Sequence, residues 1–143
     1  MNNKPESLWG EIPTSENLRT PYTILQEQAS ILSESTQGLL LGEVVPMPYT
    51  NRPYLSLSPN QRQFYGVLRI KVPSLTNYTY SLLEVEYPIQ TYPIFVRNLA
   101  GEDDKYECED EEGFKAAVKD ILSSDEVRQV IAILLSQIQA EVS

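Results

Sequence analysis

The chain has 143 residues, of which 41% are hydrophobic and 22% are charged, a composition typical of one soluble globular domain. It has no histidine and one cysteine, Cys108, which excludes nucleophile pairs that need histidine, an internal disulfide and multi-thiolate metal sites. The net charge of −9, with no cluster of basic residues, disfavours direct binding to nucleic acid or to an anionic membrane. We expect no bound cofactor.

Residues 1–19 are expected to form an extended arm, and residues 20–143 a single α+β domain. The arm is mostly polar, yet it contains Leu8, Ile12 and the only tryptophan, Trp9. A lone tryptophan in such a segment either packs on its own domain or anchors a partner, since tryptophan is frequent at binding hot spots. Trp9 is therefore a candidate partner-binding residue.

The first predicted helix begins at Thr20-Pro21, because threonine caps helices and proline is favoured at the first helical position. It is expected to end near Thr36, with Gly38 as a left-handed stop. Alternating or branched apolar residues then predict strands over 39–45, 62–72, 78–87 and 91–99. The short links between the later strands favour a four-stranded antiparallel meander, and residues 106–109 are a candidate for a brief edge strand beside it.

Two C-terminal helices are expected to pack on one face of that sheet. Asp110 is expected to cap the first, and Ser124 the second, because both residues precede amphipathic segments with helical spacing. The last helix is rich in apolar residues, so a homodimer through it is a further hypothesis. The absence of a hydrophobic leader and of a long apolar run favours a cytoplasmic protein.

An acidic segment, residues 102–112, precedes the first of these helices and carries −7 of the net charge of −9, from eight acids and one lysine. It is either a solvated loop that supplies negative charge to a helix start or a docking surface for a basic partner. The candidate binding residues are Glu107, Glu109, Asp110 and Glu111. The same acids are expected to raise the pKa of the Cys108 thiol.

Tyrosine and proline concentrate between residues 46 and 93. Tyrosine offers a large contact area at a low entropic cost, so Tyr49 and Tyr54, in the predicted loop over 46–61, are candidate partner-binding residues. Half-buried strand tyrosines would explain the same enrichment.

The order of helix, meander and helices resembles that of ubiquitin-conjugating and RWD-type domains. The Tyr87-Pro88 and Tyr92-Pro93 pairs are similar to the tyrosine-proline turn of those families. The resemblance implies a similar fold and, in one alternative, Cys108 as a thiol nucleophile.

The absence of the usual catalytic residue types favours a non-catalytic protein-binding module. Such a module would be an adaptor, an immunity or inhibitor protein, or a subunit of a larger assembly. The alternatives are a ubiquitin-conjugating-like enzyme that uses Cys108, and an acidic mimic that blocks a nucleic-acid-binding protein.

Overall fold

The computed structural model describes residues 4–14, 19–46, 64–101 and 104–142. These residues form three helices and one antiparallel sheet, and the α+β class is confirmed. The elements follow one another as α1 (Pro21–Ser35), β1 (Leu41–Pro46), β2 (Phe64–Val72), β3 (Tyr78–Tyr87), β4 (Ile94–Asn98), β5 (Lys105–Cys108), α2 (Glu111–Leu122) and α3 (Asp125–Glu141).

Each helix begins at the capping residue that the sequence predicts. The side chains of Thr20, Asp110 and Ser124 accept hydrogen bonds from backbone N–H groups in the first turns of α1, α2 and α3. Helix α1 ends at Ser35 with Thr36 as its C-cap, and Gly38 follows in a left-handed conformation with φ +82°. Local sequence therefore sets the starts of all three helices.

The sheet is a simple meander in the order β1-β2-β3-β4-β5, with every neighbouring pair antiparallel. The predicted number of four strands was wrong for the described residues, because Lys105–Cys108 pairs with β4 as a fifth strand. That strand has only four residues, two of them charged, so its own pattern gives little signal, and it forms because β4 offers an open edge.

One face of the sheet forms the core with the apolar sides of the helices. The strand residues of this face alternate as predicted, and Ile70, Leu83, Val85, Ile94 and Val96 are fully buried. Leu25 of α1, Phe114 of α2 and Val127 of α3 belong to the same cluster. The core therefore lies between the sheet and all three helices.

Two glycines on that face let α1 approach the sheet closely. A Cβ atom on Gly42 would lie 2.5 Å from the backbone of Ala29, and one on Gly66 would lie 2.8 Å from the ring of Tyr22. The Tyr22 hydroxyl donates a hydrogen bond of 2.8 Å to the carbonyl of Tyr65. Helix α1 is thereby seated directly on β1 and β2.

Candidate functional site

The N-terminal arm is exposed over its whole described length, residues 4–14. Its three large apolar side chains, Leu8, Trp9 and Ile12, are 89%, 81% and 66% exposed. Gly10, between them, has φ +69°, a left-handed conformation that turns the chain at little cost for glycine. The Trp9 indole therefore does not pack on the described part of its own domain.

The arm joins the domain at a fixed point. The Arg19 guanidinium donates hydrogen bonds to both carboxylate oxygens of Glu27 in α1, from Nη1 to Oε2 at 2.5 Å and from Nη2 to Oε1 at 3.0 Å. This bidentate geometry fixes the relative orientation of the two side chains in addition to attracting them. The Arg19 hydrogen bond lowers the pKa of Glu27, and nearby Lys115 of α2 also lowers it. The root of the arm is thus held beside α1 and near the start of α2.

A groove runs along α1 on the side that faces the other helices. Its wider part, about 440 Å³, lies between α1 and α2 and includes Ile24, Gln28, Lys115 and Lys119 in its lining. Its deeper part, about 210 Å³, lies between α1 and α3. Ala29, Leu68, Ile70, Leu82 and Val127 are nearly fully buried and line the deeper part, together with half-buried Ile131. The two parts share Gln28 and Leu122 in their linings, so they are adjacent along α1, and we call them together the α1 groove.

The acidic segment divides into structural and solvent-facing residues. Asp110 caps α2 by accepting a hydrogen bond of 2.7 Å from the Gly113 N–H, and Glu111 pairs with Lys115 at 2.9 Å. Glu107 and Glu109 are exposed, and the pKa of Glu109 is raised by a hydrogen bond in which its protonated carboxyl donates to Glu107, then by desolvation and by the Glu107 charge. Asp110 and Glu111, two of the four candidate acids, therefore already stabilise the start of α2.

Cys108 is the last residue of β5 and points into the core, where it is 4% exposed. Burial, followed by the charges of Asp110, Glu107 and Glu109, raises the pKa of the thiol to about 11. The expected direction of this shift is confirmed. Its largest cause is burial, because β5 places Cys108 against the core.

We expect this thiol to resist alkylation. A pKa that rises from 9.0 to about 11 lowers the thiolate fraction at pH 8 by about 100-fold, and burial slows the reaction further. Mass spectrometry should show iodoacetamide modifying the native protein at least about 100-fold more slowly than N-acetylcysteine. The urea-unfolded chain should react at the rate of the free thiol. Native reactivity close to that of the free thiol would contradict the buried position.

The opposite face of the sheet holds a polar cluster that the sequence analysis did not predict. The Tyr65 hydroxyl donates a hydrogen bond to Oε2 of Glu84, and Nη1 of Arg97 lies 3.5 Å from Oε1 of the same carboxylate. Glu84 and Glu86 are 2% and 0% exposed. Alternation in the sequence places these acids opposite Leu83 and Val85, as observed, but it does not reveal that they are buried.

The remaining candidate residues, Tyr49 and Tyr54, lie outside the residues that the structure describes. The apolar residues of the last helix face mainly inward: Leu134 is buried, and Val130, Ile131 and Leu135 are half-buried against the core. Ile133 is the exception, at 53% exposed.

In the described ranges, no three or more cysteine or carboxylate side chains are grouped as a metal ion would require. Over those same ranges, no helix combines the length and apolar character needed to cross a membrane. Neither a known protein-family model, nor a curated protein, nor a solved structure matches this chain.

Proposed function

We propose that this chain acts by binding a protein partner through its N-terminal arm, and that its role is binding rather than catalysis. The observation that carries the proposal is the exposure of Leu8, Trp9 and Ile12 together within one short segment. Single exposed apolar residues are ordinary, but a cluster of three around a tryptophan is typical of a binding site.

The free energy available from these side chains is large enough for specific binding. Full burial of a leucine or isoleucine side chain is worth about 1.5–3 kcal/mol, and a tryptophan buries on the order of 150–250 Å². The described arm is a short exposed segment without helix or strand, so it presents these side chains as a linear peptide would. Ordering the arm on binding offsets part of the gain.

The arm supports this proposal better than the acidic segment or Cys108 supports the alternatives. Asp110 and Glu111 already hold α2, and the Cys108 thiol is buried and protonated at neutral pH. A thiol nucleophile needs access and a lowered pKa, and this environment supplies neither.

The test compares tagged wild-type protein with Trp9→Ala as bait in a lysate of the native host, which also contains the untagged chain. We expect at least one protein to be retained by the wild type and lost with Trp9→Ala, because removal of a hot-spot tryptophan costs about 2 kcal/mol or more, about 30-fold in affinity. Ile89→Ala is the matched control, since Ile89 is also strongly exposed, at 65%, but lies in the turn between β3 and β4. Retention of the same proteins by wild type and Trp9→Ala would overturn the proposal.

A further inference from the structure

We infer that the partner of the arm is a second copy of this chain: residues 6–12 of each copy dock in the α1 groove of the other and form a dimer by reciprocal arm exchange. The inference rests on the proposed function and names its partner. Three features of the described residues carry it: the apolar fit, the charges, and the position of the arm's root.

The groove and the arm are complementary in apolar character and size. The deeper part of the groove has a volume of about 210 Å³, and its floor is built from the core residues Leu68, Ile70 and Leu82. An apolar cavity of about 150 Å³ accepts benzene, so the larger volume is suited to an indole ring. Ile31, at the lip of the groove, is 52% exposed and would be covered by the docked segment.

The charges of the two surfaces are opposite. Residues 6–12 contain Glu6 and Glu11 and no basic residue. The wider part of the groove is lined by Lys115 and Lys119 and by no acid. Within the described ranges, Lys119 makes no ion pair, while Lys115 is paired only with Glu111. An apolar segment flanked by acids therefore fits an apolar groove flanked by lysines.

The root of the arm lies beside the groove. Arg19 is held on Glu27, the neighbour of the groove residue Gln28, and Lys115 is close enough to lower the pKa of Glu27. Two copies that face each other across this edge can each extend an arm into the groove of the other. The interface would be isologous, and each dimer would contain two arm–groove contacts that reinforce each other.

Exchange with a second copy would cover both the exposed arm and the α1 groove of each chain. In one chain the arm is exposed and the groove is open. Reciprocal exchange covers the three apolar side chains of the arm and the lip of the groove in one step. A partner of a different kind would need one surface that fits the arm and a separate one that fits the groove, whereas a second copy carries both.

Trp9 is the only tryptophan, so its fluorescence reports on the arm alone. We expect purified wild type to sediment as a dimer, with a blue-shifted emission that moves toward that of N-acetyltryptophanamide as dilution dissociates the dimer. Trp9→Ala and Ile31→Glu should each raise the dimer dissociation constant by at least about tenfold. Ile133→Glu is the matched control, because Ile133 is equally exposed but does not line the groove, and it should leave the dimer intact.

Each other outcome overturns the inference. A monomer whose emission stays that of free tryptophan at all concentrations shows that the arm binds no second copy. A monomer with a protected Trp9 shows docking within one chain. A dimer that Ile133→Glu dissociates and Ile31→Glu does not shows an interface through the last helix. A dimer that all three variants retain shows an interface elsewhere.

A peptide of residues 4–14 separates this inference from the proposed function. The Trp9→Ala protein contains no tryptophan, so the emission of an added peptide reports only its own binding. We expect a saturable blue shift that is lost with the double variant Trp9→Ala/Ile31→Glu. If the peptide does not bind while a different host protein is still captured through Trp9, the inference falls and the proposed function stands. If no capture depends on Trp9, the proposed function fails as well.

Discussion

Gly42→Ala is expected to destabilise the protein by about 3 kcal/mol, toward the upper end of what overpacking costs. The added methyl would lie 2.5 Å from Cα and the carbonyl oxygen of Ala29, and these atoms cannot move without displacing α1. Alanine recovers only about 0.5–1 kcal/mol by restricting the unfolded chain. The net effect should be a large loss in the free energy of unfolding, measured by urea titration.

Gly66→Ala is the matched comparison, because this glycine lies on the same face of the sheet and its added methyl also meets α1. The neighbour here is the end of the Tyr22 side chain, at 2.8 Å, which can rotate away at the cost of its hydrogen bond to Tyr65. We therefore expect a loss of about 1–2 kcal/mol, smaller than at Gly42. Circular dichroism should be the probe, since the only tryptophan lies in the exposed arm. Equal losses at the two glycines would contradict the close backbone contact of α1 with β1.

The helices of this fold could be predicted because their signals are local. Thr20, Asp110 and Ser124 each supply a capping oxygen, and the apolar spacing that follows sets the buried side. The faces of the long strands could be predicted for the same reason, since alternation needs no knowledge of the partner strand. The fifth strand gave only a weak signal, a candidate edge strand at residues 106–109, because four residues with two charges become a strand only when β4 is beside them.

Only part of the candidate site could be predicted from the sequence. Trp9 stands out in a polar segment, but whether it is buried or exposed depends on the rest of the fold. The α1 groove brings together side chains from three helices and three strands, and its proximity to the root of the arm depends on Arg19 meeting Glu27. These relations exist only after the chain has folded.

The buried position of Glu84 shows a related limit and leads to a second large effect. A carboxylate on a strand is normally read as solvent-facing, because burying a charge is costly unless the charge is paired. Here β2 and β4 supply the compensation: Tyr65 donates a hydrogen bond, and Arg97 lies directly across the strand pair. The sequence contains all three residues, but their pairing depends on the register of two strand pairs.

Glu84→Ala should therefore destabilise the protein by about 3 kcal/mol, because it removes a buried carboxylate that both Tyr65 and Arg97 contact and leaves the Tyr65 hydroxyl without that acceptor. Tyr65→Phe removes only one hydrogen bond to the carboxylate and should cost about 1 kcal/mol.

Glu43→Ala is the matched control. Glu43 lies on the same sheet face, and its Oε1 is 2.9 Å from Nε of Arg69, but its side chain is 29% exposed against 3% for Glu84. A half-exposed pair contributes about 1 kcal/mol or less. In urea titrations Glu84→Ala should therefore lose the most free energy of unfolding, and Tyr65→Phe and Glu43→Ala clearly less. If Glu84→Ala cost no more than Glu43→Ala, the carboxylate of Glu84 would be solvated rather than held between Tyr65 and Arg97.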